Sequence, residues 1–172
     1  MRKIIFLIIS LLIISCEDMN DNQPTKIVFL GDSITQQAED FEDGFISLIR
    51  QNLSEDKFEL IGKGISGNKV SDLLTRYKSD VLDLNPDLVF IYIGINDVWH
   101  KYDFGTGSDI DLYEKGLRAI ISDINSLGSK IVLCTPTVIG ENTGDFELGN
   151  QFKDVETMEK MNGDLDTFSD VV

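Results

Sequence analysis

The sequence predicts an α/β fold in which helices cover a parallel sheet. Four short apolar runs alternate with longer segments whose apolar residues recur every three or four positions, the pattern of βαβ units. Few polar residues interrupt these runs, which is typical of strands buried on both faces, as parallel strands are. A chain of 172 residues with 42% hydrophobic content is long enough for one domain with a substantial core.

The predicted strands end in residues that favour turns. They cover residues 27–30, 58–62 and 88–93, and a fourth strand with its turn covers residues 130–136. The strongest of the four is the run at 88–93, because all six of its residues are aliphatic or aromatic. These runs supply the sheet of the predicted fold.

The helical pattern occupies the segments between and after the strands. Helices are predicted over residues 39–53, from residue 69 to just before Asn85 and Pro86, over 112–127, and over 153–172. Gly128 is the expected stop of the third helix. Residues 98–109 and 138–150 contain several glycines and are predicted to be loops.

Composition excludes several functions. The formal net charge of −15 argues against nucleic acid as a partner, because the phosphates would be repelled. One histidine and two distant cysteines cannot build a zinc site, and they indicate no disulfide framework. We therefore predict neither a metal nor a cofactor.

The first sixteen residues have the features of an export signal. A basic start, Arg2-Lys3, precedes a short apolar run that ends at Cys16, and this arrangement resembles the lipobox of bacterial lipoproteins. The resemblance implies a signal peptide over residues 1–15, acylation of Cys16, and a polar tether over residues 16–25. The domain would then cover residues 26–172 and lie in the cell envelope, held to a bacterial membrane by the lipid.

Three loops follow three of the predicted strands. They contain Gly31-Asp32-Ser33, Gly64 within residues 63–68, and Asn96 within Gly94-Ile95-Asn96-Asp97. Because the carboxyl ends of parallel strands meet at one edge of a sheet, we expect these loops to lie together. Ser33 is a candidate nucleophile there, provided that donors stabilise the oxyanion it would create. Each motif alone is also compatible with a simple turn.

In this order and context, the three loops resemble the first three sequence blocks of the SGNH (GDSL-type) hydrolases, a family of esterases, lipases and carbohydrate deacetylases. The resemblance implies a three-layer α/β/α fold with a flavodoxin-like parallel sheet, and hydrolysis of acyl-glycan or small lipid esters. It assigns Ser33 as the nucleophile. The oxyanion donors it implies are the N–H of Ser33, the N–H of Gly64 and the side-chain amide of Asn96, with Asp97 bracing the turn.

The resemblance also defines what the 172 residues lack. The family's Asp-x-x-His block near the carboxyl terminus is absent, so we expect a chain without the fifth strand and final helix, and with little or no activity. His100 is a candidate substitute base, with Asp97 or Asp103 as the nearest carboxylates. Asp32, Trp99 and His100 are the predicted substrate-side residues.

Two other functions remain compatible with the sequence. The first is a catalytically silent, lipid-anchored protein that uses the same pocket to bind glycans or acyl groups. The second is a flavodoxin-like binder of phosphate or flavin. The loop after the first strand disfavours that reading, because it lacks the run of Ser, Thr and Gly donors that would cradle a phosphate.

Overall fold

The structure, a computed structural model, describes residues 23–139 and 155–172. Its strands are β1 (Thr25–Gly31), β2 (Phe58–Gly64), β3 (Leu88–Tyr92) and β4 (Lys130–Cys134). Its α-helices are α1 (Ser33–Asp40), α2 (Phe45–Asn52), α3 (Val70–Asp80), α4 (Ile95–Asp103), α5 (Ile110–Ser126) and α6 (Val155–Ser169). A short 3₁₀ helix, Leu82–Leu84, follows α3.

The four described strands form one parallel sheet in the order β2-β1-β3-β4. The central strand β1 pairs with β2 on one side and with β3 on the other, so that Gly31 lies beside Gly64 and beside Tyr92. This order begins a flavodoxin-like sheet and confirms the predicted α/β class.

Helices cover both faces of the sheet. On one face, which we call the α3 face, Val28, Leu30, Val89 and Ile91 pack with buried residues of α3, α5 and α6. On the opposite face, the α1 face, Ile27 and Phe29 pack with Ala38 of α1 and Ile46 of α2. The Phe29 and Phe90 rings stack on the α1 face with their centroids 4.9 Å apart. The result is the three-layer α/β/α arrangement expected from the sequence.

The predicted helix over residues 39–53 is wrong, because the chain forms two helices there. Helix α1 ends at Asp40, and α2 begins after Gly44. Gly44 lies against the end of α1, and a Cβ at this position would clash with the Ala38 backbone. The Ser47 hydroxyl donates to the Glu39 carbonyl at 2.9 Å and fixes the corner between the helices.

The predicted loop over residues 98–109 is also wrong in its first half, which belongs to α4. Val98 is buried, and Trp99 and Tyr102 pack against the α3-face core, so the apolar residues recur at helical spacing. The helix ends at Asp103, before Gly105 and Gly107. His100 therefore lies on a helix, not in a loop.

The remaining predicted elements agree with the structure within a few residues. The predicted loop over 138–150 lies largely outside the described residues, as do the predicted signal peptide and Cys16. Strand β1 begins at Thr25, the last residue of the predicted tether. Within the described part of the chain, no helix has the length and apolarity needed to cross a membrane.

Candidate active site

The site residues predicted from the sequence lie at the carboxyl ends of three neighbouring strands. Ser33 is the first residue of α1, directly after β1, and Gly64 is the last residue of β2. Asn96 is the second residue of α4, which follows β3. We call this edge of the sheet the rim. The structure thus brings the loops of all three residues together, because β1 lies between β2 and β3.

Ser33 stands at the start of a helix that its neighbour caps. The Asp32 carboxylate accepts a hydrogen bond from the Ile34 N–H at 2.9 Å, as an N-cap does. Within the part of the chain that the structure describes, neither the Ser33 N–H nor its hydroxyl has a hydrogen-bond partner. The partly exposed Ser33 therefore presents a donor and a hydroxyl at the positive end of a helix dipole.

Asp32 itself is buried, with 1% of its surface exposed. Burial raises the pKa of its carboxyl to about 6, against the opposing effect of the Ile34 N–H bond. Its predicted contact with substrate stays a prediction, and what the structure shows for Asp32 is a helix cap.

Gly64 packs directly on the first turn of α1. A Cβ at this position would clash with the backbone of Thr35 and Gln36 and would lie 2.7 Å from the Asp32 carbonyl oxygen. The end of β2 can therefore approach Ser33 only because residue 64 has no side chain. A side-chain bond also joins the two segments, since the Ser66 N–H donates to the Gln36 side-chain oxygen at 2.8 Å.

Asn96 is 6% exposed, and its amide is held by the loop after β2. Its Nδ2 donates to the Asn68 carbonyl at 3.0 Å, which leaves a second N–H on the same nitrogen. Gly94, with φ of 130°, turns the chain from β3 into α4. A side chain there would be strained, and it would also meet Pro136 and the Tyr113 hydroxyl.

Asp97 braces a different element from the one expected. Its carboxylate accepts from the Val70 N–H at 3.1 and 3.2 Å, at the start of α3, and from the Ser108 hydroxyl. The residue is fully buried, and burial raises the pKa of its carboxyl to about 6, although both hydrogen bonds oppose the rise. Asp97 therefore fixes α3 relative to α4.

The strand ends that carry these three residues lie within a segment whose sequence matches a known protein family. Residues 29–160, which include Ser33, Gly64 and Asn96, match the GDSL-like Lipase/Acylhydrolase family. The chain belongs to this family.

Relatives of known structure and activity agree with the family assignment. An acetylxylan esterase of Geobacillus stearothermophilus is 35% identical over 138 residues, which are 70% of this chain and 63% of the relative. The crystal structure of the acetyl xylan esterase AlAXEase is 39% identical, with a TM-score of 0.67, and covers 84% of this chain and 72% of its own. Axe2, an acetylxylan esterase from G. stearothermophilus, is 30% identical with a TM-score of 0.67, covering 89% and 72%.

The match spans only part of these family members. The chain covers 63% of the length of the G. stearothermophilus relative and 72% of the two crystal structures. Two further matched structures are variants of Axe2 that are described as catalytic mutants, one altered at a serine and one at an aspartate.

His100 lies one helical turn after Asn96 on α4, and these positions share a helix face. Burial and the Lys69 charge lower the pKa of the imidazole, which favours its neutral form. Its ring contacts the exposed Phe104 edge-to-face, at 5.2 Å between centroids. Within residues 23–139 and 155–172, no carboxylate hydrogen-bonds to the imidazole, so its role as a base stays a prediction.

The aromatic residues beside His100 differ in environment. Trp99 donates its indole N–H to Asp103 on the same helix, and one side of it packs on the core. Tyr102 donates its hydroxyl to Asp164 of α6 at 2.9 Å. Trp99 and His100 therefore remain the substrate-side candidates on α4.

Neither a reactive thiol nor a metal-binding cluster occurs among the described residues. Cys134 ends β4, and burial raises the pKa of its thiol, which keeps the sulfur protonated and a poor nucleophile at neutral pH. No group of three or more His, Cys, Asp or Glu side chains placed to hold a metal ion occurs within residues 23–139 and 155–172.

One rim residue was not predicted from the sequence. The Arg76 guanidinium, on α3, donates to the Gly31 carbonyl at 2.7 Å and to the Lys63 carbonyl at 3.0 Å. It also donates to the Asn68 side chain at 2.8 Å and to Asp80 at 2.5 Å. An arginine within an amphipathic helix usually faces solvent, and no local pattern distinguishes this one from a surface residue.

Proposed function

We propose that the chain hydrolyses carboxylic esters, with Ser33 as the nucleophile and acetyl groups on glycans as the substrate class. The observation that carries the proposal is the convergence of Ser33, Gly64 and Asn96 on one rim. The Ser33 N–H has no acceptor within the described residues, and Asn96 has a further N–H. The glycan preference is supported by the activity of the acetylxylan esterase relatives.

The arrangement fits the chemistry of acyl transfer. The Ser33 oxygen attacks the ester carbonyl carbon and gives up its proton to a base, and the carbonyl oxygen becomes an oxyanion. The N–H groups of Ser33 and Gly64 and the Asn96 amide then donate to that oxygen where its charge develops. Collapse of this intermediate expels the sugar alkoxide, which takes up the proton that the base accepted from Ser33. Water then attacks the Ser33 acetyl ester, acetate leaves, and a proton from the water returns to the Ser33 oxygen.

The fixed geometry of the donors is what makes them useful. Asn96 is held by Asn68, and Gly64 is packed on α1, so the donors need not reorganise as the charge appears. The amide of Asn96 is uncharged and places no permanent anion in the site. Removal of one donor from such a site typically costs about 10²–10³ in kcat.

A serine substitution tests the proposal directly. We expect Ser33→Ala to reduce the hydrolysis of 4-nitrophenyl acetate and of acetylated xylooligosaccharides to the rate measured without protein, because the nucleophile is lost. Ser66→Ala is the matched control, since Ser66 is an exposed serine on the neighbouring loop of the same rim. Intact-mass detection of a fluorophosphonate adduct on the wild-type chain, absent from Ser33→Ala, would confirm which serine reacts.

Comparison of acyl groups separates the substrate classes. Faster turnover of acetyl than of octanoyl esters supports acetylated glycans, whereas the reverse order supports lipid esters. Equal hydrolysis by wild type and Ser33→Ala contradicts the proposal.

The second candidate is binding of acyl-glycans without turnover, and it is supported by the His100 imidazole, to which no carboxylate hydrogen-bonds within the described residues. In that case, acetylated xylooligosaccharides bind the wild type and Ser33→Ala alike, and deacetylated ones do not. Isothermal titration calorimetry alongside the hydrolysis assay distinguishes the two functions.

A further inference from the structure

Arg76 connects all the segments that carry the proposed oxyanion donors. Its guanidinium bonds to the carbonyl of Gly31, two residues before Ser33, and to the carbonyl of Lys63, the residue before Gly64. The side chain reaches across from α3 and is only 14% exposed. Because guanidinium is planar with its donors in a fixed fork, these bonds set the spacing of the ends of β1 and β2.

A third bond extends this control to Asn96. Arg76 Nε donates to the Asn68 side-chain oxygen at 2.8 Å, and the Asn68 carbonyl accepts from Asn96 Nδ2 at 3.0 Å. Asn68 is fixed at a second point, since its own N–H donates to the Ile65 carbonyl at 3.2 Å. The Arg76 position is thereby transmitted through Asn68 to the amide of Asn96.

The charge of Arg76 is balanced by a carboxylate on its own helix. Asp80, one turn further along α3, accepts from Arg76 Nη1 at 2.5 Å and is 20% exposed. Within the described residues, no hydrogen bond or ion pair joins the Asp80 side chain to the loops at residues 31–33 or 63–68. Arg76 therefore has two roles: it forms an ion pair with Asp80, and it donates hydrogen bonds to the rim. A substitution of Asp80 tests the first role without removing the donors of the second.

We propose that Arg76 is the positioning residue of the oxyanion site, setting the Asn96 amide and the ends of β1 and β2 at the spacing that the transition state requires. The catalytic purpose of this positioning rests on the proposed function, but the effect of Arg76 on the Asn96 amide can be measured without turnover. Arg76 itself touches no reacting atom. Its effect passes through backbone carbonyls and Asn68.

The first measurement follows the Asn96 amide in the free protein. In ¹H–¹⁵N spectra, the Asn96 side-chain pair is assigned by its loss in Asn96→Ser. We expect Arg76→Met to shift this pair and to speed its exchange with solvent by at least about tenfold, because Asn68 loses its anchor. Asp80→Asn, which keeps all rim bonds, should leave the exchange rate within about twofold of wild type.

Arg76→Lys covers the case in which the methionine variant does not fold. Lysine keeps the charge beside Asp80, but its donors share one nitrogen and cannot bridge the separated acceptors that the three nitrogens of the guanidinium reach. We expect melting close to wild type together with an Asn96 amide that exchanges faster. If both folded variants leave the Asn96 pair unchanged, the proposal is overturned.

The second measurement is turnover of 4-nitrophenyl acetate. Arg76→Met or Arg76→Lys should lower kcat by about 10- to 100-fold with KM changed less than about threefold, because a misplaced donor weakens only the transition state. Asp80→Asn should change neither constant by more than about threefold. A loss confined to KM contradicts positioning of the oxyanion donors.

The two measurements together distinguish a failure of the proposed function from a failure of the Arg76 proposal. If wild type and Ser33→Ala turn over equally, the proposed function fails, and the amide exchange still decides whether Arg76 orients Asn96. If wild type is active and Arg76→Lys matches it in both exchange and kcat, the function stands and the Arg76 proposal fails.

Discussion

Asp32 and Asp97 are buried carboxyls that lie beside two proposed catalytic groups, and they differ in what they hold. Asp32 precedes Ser33 and accepts from Ile34, two residues further along its own helix. Asp97 follows Asn96 and accepts from Val70, 27 residues earlier in the chain. Burial raises the pKa of both carboxyls to about 6.

The hydrogen bond of Asp32 is local to one helix, whereas those of Asp97 are tertiary contacts between helices. The Asp32 cap belongs to one helix and would form in any chain with this turn. The Asp97 bonds exist only when α3, α4 and the segment carrying Ser108 are already together. We therefore expect the two residues, similar in burial and in pKa, to contribute unequally to stability.

Removing the tertiary carboxyl should have the largest effect. We expect Asp97→Ala to lower the free energy of unfolding at pH 5 by about 4 kcal/mol, because the buried Val70 N–H and Ser108 hydroxyl lose their acceptor. Urea denaturation measures the change, with Asp166→Ala on the exposed side of α6 as the control. If Asp97→Ala lowers the free energy of unfolding no more than Asp32→Ala does, the two carboxyls contribute equally to stability and the expectation is contradicted.

The raised pKa values predict how stability depends on pH. Since the folded-state pKa of about 6 exceeds the unfolded value of 3.8, the folded state binds more protons between these values. Stability should therefore be highest below about pH 4 as far as these groups are concerned, and should fall as pH rises to 6. The fall amounts to at most about 3 kcal/mol for each carboxyl.

Asp97→Asn isolates one of the two contributions. The variant should follow a shallower pH profile than wild type, and should gain on wild type as the pH rises from 4 to 8. Urea midpoints across this range give the result. Parallel profiles for the two proteins would show that Asp97 does not titrate in this window.

Removing the local cap should have the smallest effect. We expect Asp32→Ala to cost about 1 kcal/mol at pH 5, the usual value of an N-cap. Asp32→Ser should recover most of this loss, because a serine hydroxyl caps the Ile34 N–H equally well. If the serine variant is as unstable as the alanine variant, Asp32 does more than cap α1.

The rim was predictable because each site residue follows a largely apolar strand. Ser33, Gly64 and Asn96 are placed by strand ends, and strand ends can be recognised locally from hydrophobicity and turn-forming residues. Arg76 gave no comparable signal. Its partners, the carbonyls of Gly31 and Lys63, are backbone groups that only the folded sheet brings within its reach.

The errors in secondary structure have physical causes. Phe41, Phe45 and Leu48 recur at helical spacing, which predicted one helix, but they are 40–55% exposed and do not mark a buried face. Gly105 and Gly107 predicted a loop over residues 98–109, although the apolar residues from 98 to 102 have the spacing of a helix and belong to α4. Apolar periodicity identifies a helix reliably only where the apolar face is buried by tertiary packing.

The parallel order of the sheet has a consequence for how the chain folds. No two neighbouring strands among the four described are joined by a hairpin, and β1 must close a loop of about 60 residues before it meets β3. An intermediate that has paired only β1 with β2 would hold Ser33 beside Gly64 without Asn96. Recovery of the complete rim during refolding should therefore lag behind the first sheet formation and wait for this long-range closure.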